Sequence, residues 1–377
     1  MSNVAKQQAP KGSKPVVTAV AAKDLDKLRR LLPAGKTSAI PAAAMMKAGQ
    51  MAWLTGLKLL VARGGDLNAI YRNYRALHAL IQEEPHGVTA ATTARVRCLE
   101  WMLAHGADPN LPGAWPSART LVIAAFQGER AYVNVLRKHG AGRLDIFTAA
   151  ALGDATRVGK LLSTDPSLAL ARDHERLTAL QCAGGSRLGK SDRRIAARLL
   201  ECARLLVDAG ADVNAATPSW GHDVLVSYFV IRSGQVEMLK LLLARGLDAT
   251  QAVSTAAWVD REDILDLLIA HGADINHGFE HARPVLNELV RWGQFTQARL
   301  CLKKGASPNL PDDRGWTAVH QVVSRGNLKM LQELLAAGGD PDAVDHDGRT
   351  PRGLAKRAGR ADLLTAIDAA KPRPPFS

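Results

Sequence analysis

Three short stretches of this 377-residue chain carry residue types at spacings that can do chemistry. Residues 184–191 read GGSRLGKS and satisfy the phosphate-binding pattern GxxxxGK[ST]. In that pattern consecutive backbone N–H groups wrap phosphate oxygens, the lysine adds charge, and the following helix N-terminus faces the anion. A helix-forming run, RRIAARLLECARLLV, follows Asp192, but the preceding LTALQCA reads as a helix instead of a buried strand. No apolar strand ending in aspartate follows to hold magnesium, so ATP hydrolysis is not expected. What survives is a flexible basic insertion at a helix start, Gly184, Gly185, Ser186, Arg187, Lys190 and Arg193, suited to binding an anion. The competing reading is a solvated connection whose glycines close one helix and open the next.

Residues 277–281, HGFEH, fit the HxxEH zinc-hydrolase pattern, which requires both histidines on one face of a stable helix. Here the segment contains Gly278 and sits in a loop, so no metal or cofactor is expected. DHDG at 345–348 is a turn, because no glutamate closes a twelve-residue calcium loop. Cys98, Cys182, Cys202 and Cys301 form no CxxC pair, and Cys98 and Cys202 each lie eight residues before a closing glycine. Core packing in a reducing compartment accounts for them.

The elements that would position these residues repeat. GADPN at 106–110 recurs as GADVN at 210–214, GADIN at 272–276 and GASPN at 305–309, with looser GGDLN at 64 and GGDPD at 338. The steps from Gly272 to Gly305 and from Gly305 to Gly338 are both 33 residues, the period of a helix-turn-helix-hairpin unit that must stack on neighbours to bury its apolar face. The unit beginning at Asp312 spells out the grammar. Thr317 caps a short helix, Gly326 ends it, Leu328, Leu331, Leu334 and Leu335 form the apolar stripe of a longer helix, and Gly338 supplies its left-handed stop. Thr317 to Gly338 spans 21 residues, whereas Arg75 to Gly106 spans 31 and Thr178 to Gly210 spans 32. The surplus falls between the two helices, over about 83–94 and 184–194. Gly246 to Gly272 is only 26 residues, which predicts a lost hairpin.

TAVH at Thr317, TALQ at Thr178, RALH at Arg75 and TPRG at Thr350 resemble the TPLHxA signature of the ankyrin repeat family. The resemblance covers roughly residues 14–371 in about eleven divergent units. It implies an all-α fold, an ankyrin-repeat solenoid of stacked helix-turn-helix units with short hairpin loops. The expected organisation is a basic disordered tail at 1–13, about four units over 14–143, about seven over 144–371 with a softer joint near 140–146, and a Pro-rich tail at 372–377. In the family, first helices and hairpin tips line the concave face, and arrays mostly bind proteins.

The net charge of +13 favours an acidic partner, whether protein, nucleic acid or small anion. No run approaches the roughly 18 apolar residues of a membrane span, and a cytoplasmic monomer is expected. Aligning units by their closing glycine puts Tyr228, Arg232, Trp258, Glu288, Arg291, Trp292, His320 and Arg325 on or just after first helices, with Trp115, Trp220 and Trp316 near hairpins. Tryptophan and arginine in a groove dominate binding hot spots, and each tryptophan can equally seal the gap between repeats. The leading expectation is a non-catalytic scaffold binding an acidic protein through its concave face, with no catalytic residues. One alternative is a groove enzyme or small-anion receptor whose pocket is roofed by the two insertions. Another is nucleic-acid binding, although no zinc, RRM or helix-turn-helix signature is present.

Overall fold

A computed structural model of the chain describes residues 13–34, 39–82, 89–113, 118–142, 145–173, 176–219, 222–279 and 283–370. Trp115, Trp220, Glu280, His281, residues 83–88 and both tails lie outside these. The chain groups into two compact units, residues 1–238 and 239–377.

In the first unit, α1 (Ser13–Ala21) pairs with α2 (Leu25–Leu31), α3 (Ala42–Gln50) with α4 (Leu54–Ala62), α5 (Ala76–Ile81) with α6 (Thr93–Ala104), and α7 (Thr120–Gln127) with α8 (Arg130–Lys138). It continues with α9 (Ile146–Leu152) and α10 (Ala155–Thr164), α11 (Ala179–Gly185) and α12 (Arg193–Asp208), and α13 (Val226–Ser233), which leads into α14 (Val236–Leu243) at its border. The second unit holds α15 (Ala249–Trp258) with α16 (Glu262–Ala270), α17 (Val285–Arg291) with α18 (Phe295–Lys303), α19 (Ala318–Arg325) with α20 (Leu328–Ala336), and α21 (Pro351–Arg357) with α22 (Ala361–Ala369). The 22 helices thus form 22/2 = 11 pairs among the described residues. Three antiparallel hairpins join pairs: β1 (Pro112–Gly113) with β2 (Ala118–Arg119), β3 (Ala216–Ser219) with β4 (His222–Leu225), and β5 (Gly278–Phe279) with β6 (Arg283–Pro284). In β3–β4 the register sets Ala216 opposite Leu225 and Thr217 opposite Val224. No strand lies between α14 and α15, where the short spacing predicts none.

Within each unit the helices form two layers. First helices pack on first helices, as α9 on α11 and α11 on α13, or α17 on α19 and α19 on α21. Second helices pack on second helices, as α10 on α12 and α20 on α22. A first helix is therefore walled on both sides and backed by its partner, and its sequence is correspondingly apolar or small: every residue of α5, α7 and α11 is buried. Second helices bury only a stripe, such as Met330, Leu331 and Leu334 of α20. The linking turns need left-handed backbone, which Gly293 and Gly326 supply at φ of 74° and 70°.

A buried polar side chain at the third position of several first helices ties each repeat to the next. Gln181 Nε2 donates to the carbonyls of Ala215 (3.2 Å) and Val224 (3.1 Å) in the following hairpin, while its Oε1 accepts from Thr178 N–H and the Thr217 hydroxyl. Asn287 Nδ2 donates to the carbonyls of Leu310 (3.0 Å) and Trp316 (2.7 Å). His320 Nε2 lies 3.3 Å from the Arg349 carbonyl, and His78 Nε2 lies 3.2 Å from that of Ala118. Several of these carbonyls also accept an N–H from their own turn, Ala215 from Val226, Trp316 from Asp312 and Arg349 from Asp345, and the neighbour's side chain adds a second bond that crosses the junction.

Gln181→Leu keeps the volume but removes the bonds to the Ala215 and Val224 carbonyls, to the Thr178 N–H and to the Thr217 hydroxyl, although Ala215 keeps the Val226 N–H and Thr217 keeps the Arg176 carbonyl. The expected result is a loss of about 2–4 kcal/mol of stability, read as a lower urea midpoint at unchanged slope. A variant as stable as the parent would show that these bonds contribute nothing.

Candidate functional site

The basic insertion does not form a backbone cradle. Gly184 and Gly185 are the last turn of α11 and fully enclosed, and an added Cβ would stand 2.7 Å from Val230 Cγ2 and 2.5 Å from the Phe126 ring respectively. They are glycine because helices pack closely here, which corrects the expectation of a flexible phosphate-wrapping loop. The N–H groups of Arg194 and Ile195 at the start of α12 are taken by the Asp192 carboxylate. Asp192 also pairs with Arg130, and that bond holds its carboxyl below the usual range. An anion at this helix start would meet a carboxylate already in place. Lys190 and Arg193 point to solvent as exposed residues, and Ser186 is fully buried.

Of the basic residues in the insertion, only Arg187 is partly buried. Its N–H donates to the Ala125 carbonyl (2.9 Å), and its Nη2 reaches the Arg232 carbonyl (3.4 Å). The Arg232 guanidinium lies 5.5 Å from the Tyr228 ring centroid. Three residues that the sequence assigns to two separate sites are thus brought to one place.

In the second unit the predicted contact residues divide by burial. His320 is fully buried: its Nδ1 accepts from the Thr317 N–H (3.1 Å) and stands 3.0 Å from the Thr317 hydroxyl, and burial lowers its pKa. It is a repeat-to-repeat bridge, not a surface contact. Trp316 is half-buried between hairpins, its Nε1 donating to Asp345 (2.8 Å) and its ring flanked by Arg314 and Arg349 at 4.6 and 5.7 Å. It seals a repeat junction. Glu288, 8% exposed, accepts from Trp292 Nε1 (3.0 Å) and Arg291 (3.2 Å) and so positions those two side chains.

What remains at the surface is Trp292, 60% exposed, with the Arg291 guanidinium 5.8 Å from its ring, together with Trp258, 37% exposed, and Arg325, which also donates to the Arg291 carbonyl. Trp220 lies outside the described residues. His277 is exposed and leads into β5, a strand instead of the helix that HxxEH chemistry needs. Cys98, Cys202 and Cys301 have thiols pushed up to about 12 by burial, and Cys182 is raised likewise, so none offers a thiolate nucleophile near neutrality. A cavity is lined, among the described residues, by Asn110, Arg119, Gly140 and Gly142, none of them in either insertion.

Sequence reasoning missed the bridging role of the third position. The spacing Thr178-x-x-Gln181 is a capping-box signature that marks one instance, but nothing in PVLN marks Asn287.

A family model, Ankyrin repeats (many copies), matches residues 286–335, the stretch from α17 to α20. The chain carries ankyrin repeats. The array is 28% identical over 145 residues to an ankyrin repeat-containing protein of Treponema pallidum (strain Nichols), covering 36% of this chain and 49% of that one. It is 41% identical over 66 residues to human ankyrin repeat domain-containing protein 63, covering 18% of this chain and 17% of that one. It thus spans half or less of the length of these relatives. A solved structure, that of the human ASB11 ankyrin repeat domain, aligns with a TM-score of 0.45 at 19% identity, covering 62% of this chain and 100% of that one. Ankyrin repeats generally mediate protein–protein interaction, and no described helix is long and apolar enough to cross a membrane.

The buried histidines make the array sensitive to mild acid. His78 has its pKa lowered to about 3, chiefly by burial, against 6.5 unfolded. Its Nδ1 has no hydrogen-bond partner, because Arg75 stands where Thr317 caps the later helix. Below about pH 6.5 the unfolded chain binds a proton that the folded chain refuses, so stability falls as pH drops from there toward 3. Between pH 7 and 5.5 this residue should remove about 1 kcal/mol, and His78→Gln should abolish that share of the loss. An identical pH profile in the variant would contradict the assignment.

Proposed function

We propose that the array is a non-catalytic protein-interaction scaffold that engages an acidic partner through its concave face, lined by first helices. The observation that carries this reading is Trp292, 60% exposed at the end of α17 yet fixed by its bond to Glu288 and by Arg291 beside its ring. An indole on a surface loses entropy on binding unless it is already held, and one held in place and flanked by arginine has the composition and rigidity of a hot spot. Trp258 and Arg325 at the ends of α15 and α19 extend the same row of first-helix termini. The net charge of +13 supports an acidic partner by steering encounter.

The decisive experiment captures the partner with the full-length chain and then measures its affinity for single variants. Trp292→Ala and Arg291→Ala should each weaken binding by about 1–3 kcal/mol with the urea midpoint unchanged, and affinity should fall with added salt. Unchanged affinity in both variants would remove the site from this face.

A further inference from the structure

The positive charge of the chain is not spread evenly over the stack. In the first unit the six second helices α2, α4, α6, α8, α10 and α12 carry fifteen arginines and lysines against four carboxylates. The first helices behind them, α1, α3, α5, α7, α9 and α11, carry two basic residues, Lys14 and Lys47, and no carboxylate. In the second unit the same layer has the opposite sign, since α16, α18, α20 and α22 hold three basic residues against six acidic ones. The sign therefore does not follow from the repeat, whose second helices need only their buried stripe.

The topology collects these cations, scattered through the sequence, on one side of the first unit. First helices pack on one another in order from α1 to α11, and each second helix packs on its own first helix. At the usual separation of packed helices, about 10 Å, the six second helices cover about 50 Å. All fifteen basic residues except Arg95 and Arg157 are exposed. Ion pairs join Arg29 to Asp26, Arg130 to Asp192 and Arg204 to Glu201. Lys58, Arg97, Arg137, Lys138, Arg194 and Arg198 make no ion pair with any described residue. In the second unit, by contrast, second-helix cations are tied to a neighbouring repeat, Arg299 to Glu333 (2.7 Å) and Lys303 to Glu262 (2.7 Å). Repulsion among unpaired like charges costs stability, and a polyanion laid along the face offsets it.

The remaining side chains of the face select among polyanions. A bilayer holds a basic surface through apolar side chains as well as charge, and among the described residues of these six helices Leu31 is the one large apolar side chain that is exposed. Single-stranded nucleic acid stacks its bases on exposed aromatic rings. The rings of these helices are Trp101, half-buried and stacked on His105, and the fully buried Tyr132. An acidic protein segment would have to be ordered over the whole face, at a cost in entropy, before its carboxylates met the cations. A duplex is already rigid and carries its phosphates at regular intervals, and arginine forks match them.

We infer that the second-helix face of the first unit binds the phosphate backbone of double-stranded nucleic acid, over about 15 base pairs and without reading sequence. Such binding needs no base-reading motif. The face shares no residue with the Trp292 site, so it and the scaffold reading stand or fall separately.

The test is fluorescence anisotropy of the full-length protein with a labelled DNA duplex of about 20 base pairs and arbitrary sequence, from about 50 to 200 mM salt. Affinity should fall at least about a hundredfold over that range, the loss expected of about four phosphate contacts. Arg194→Gln with Arg198→Gln should weaken binding at least about tenfold and make the salt dependence shallower. Lys329→Gln with Lys356→Gln, an equal charge change at exposed positions of the second unit, should alter affinity less than about twofold. Circular dichroism in urea establishes that the variants fold. Should the α12 pair fail to fold, Arg137→Gln with Lys138→Gln on α8 gives the same reading. Equal loss from the second-unit pair would overturn the face in favour of net charge. Vesicles with about one-third phosphatidylserine, or polyglutamate, bound as tightly as the duplex at equal anion concentration would overturn the choice of partner. No duplex binding at about 50 mM salt would overturn the inference outright. Loss of duplex binding in the α12 pair, alongside partner capture that ignores Trp292→Ala and Arg291→Ala, would sustain this face while the scaffold reading of the second unit fails.

Discussion

The structure depends on buried side-chain bonds that run from the first helix of one repeat to the turn that opens the next. A carbonyl has two lone pairs, and at several junctions the third residue of the preceding first helix donates to a turn or hairpin carbonyl of the next repeat. Gln181, Asn287, His320 and His78 perform this with three different side chains, because the geometry demands a donor of roughly that reach and not a particular residue. Where Thr178 or Thr317 caps the helix, the same side chain also satisfies the cap, and helix start and repeat junction become a single network.

This constraint sorts the polar residues of the first-helix layer. Those facing a neighbouring hairpin are consumed in holding the stack, as His320 is, and Trp316 is held similarly against Asp345. Those at the C-terminal ends of first helices face the turn into the second helix, where no hairpin claims them, and there Trp292, Trp258 and Arg325 stay exposed. Bridging side chains and exposed ones thus occupy opposite ends of the same short helices. Lengthening a unit, as in residues 184–194, adds side chains at the C-terminal end of a first helix, and Arg187 reaches the Arg232 carbonyl by that route.

The sequence made local features legible and hid non-local ones. The left-handed stops at Gly106, Gly210, Gly272, Gly305 and Gly338 are single-residue requirements, and their spacing alone exposes the helix pairs. The Thr317 cap is equally local. The role of Gln181 is not, since its acceptor on Val224 is 43 residues away, and that of His320 depends on a carbonyl 29 residues away. The glycines of GGSRLGKS misled for the same reason. A string match sees freedom for a phosphate, whereas the space beside Gly184 and Gly185 belongs to Val230 and Phe126. Asp192 caps the start of α12, and its carboxylate takes the N–H groups that an anion there would need.

The claim that the third residue of a first helix holds the turn of the next repeat is tested most directly by native-state hydrogen exchange on Asn287→Leu. The account predicts that amides of the turn at 312–317, among them the Gly315 and Trp316 N–H groups bonded to Asp312, lose protection while α17 itself keeps most of its own. Loss confined to α17 and α18, with the turn at 312–317 as protected as in the parent, would contradict it.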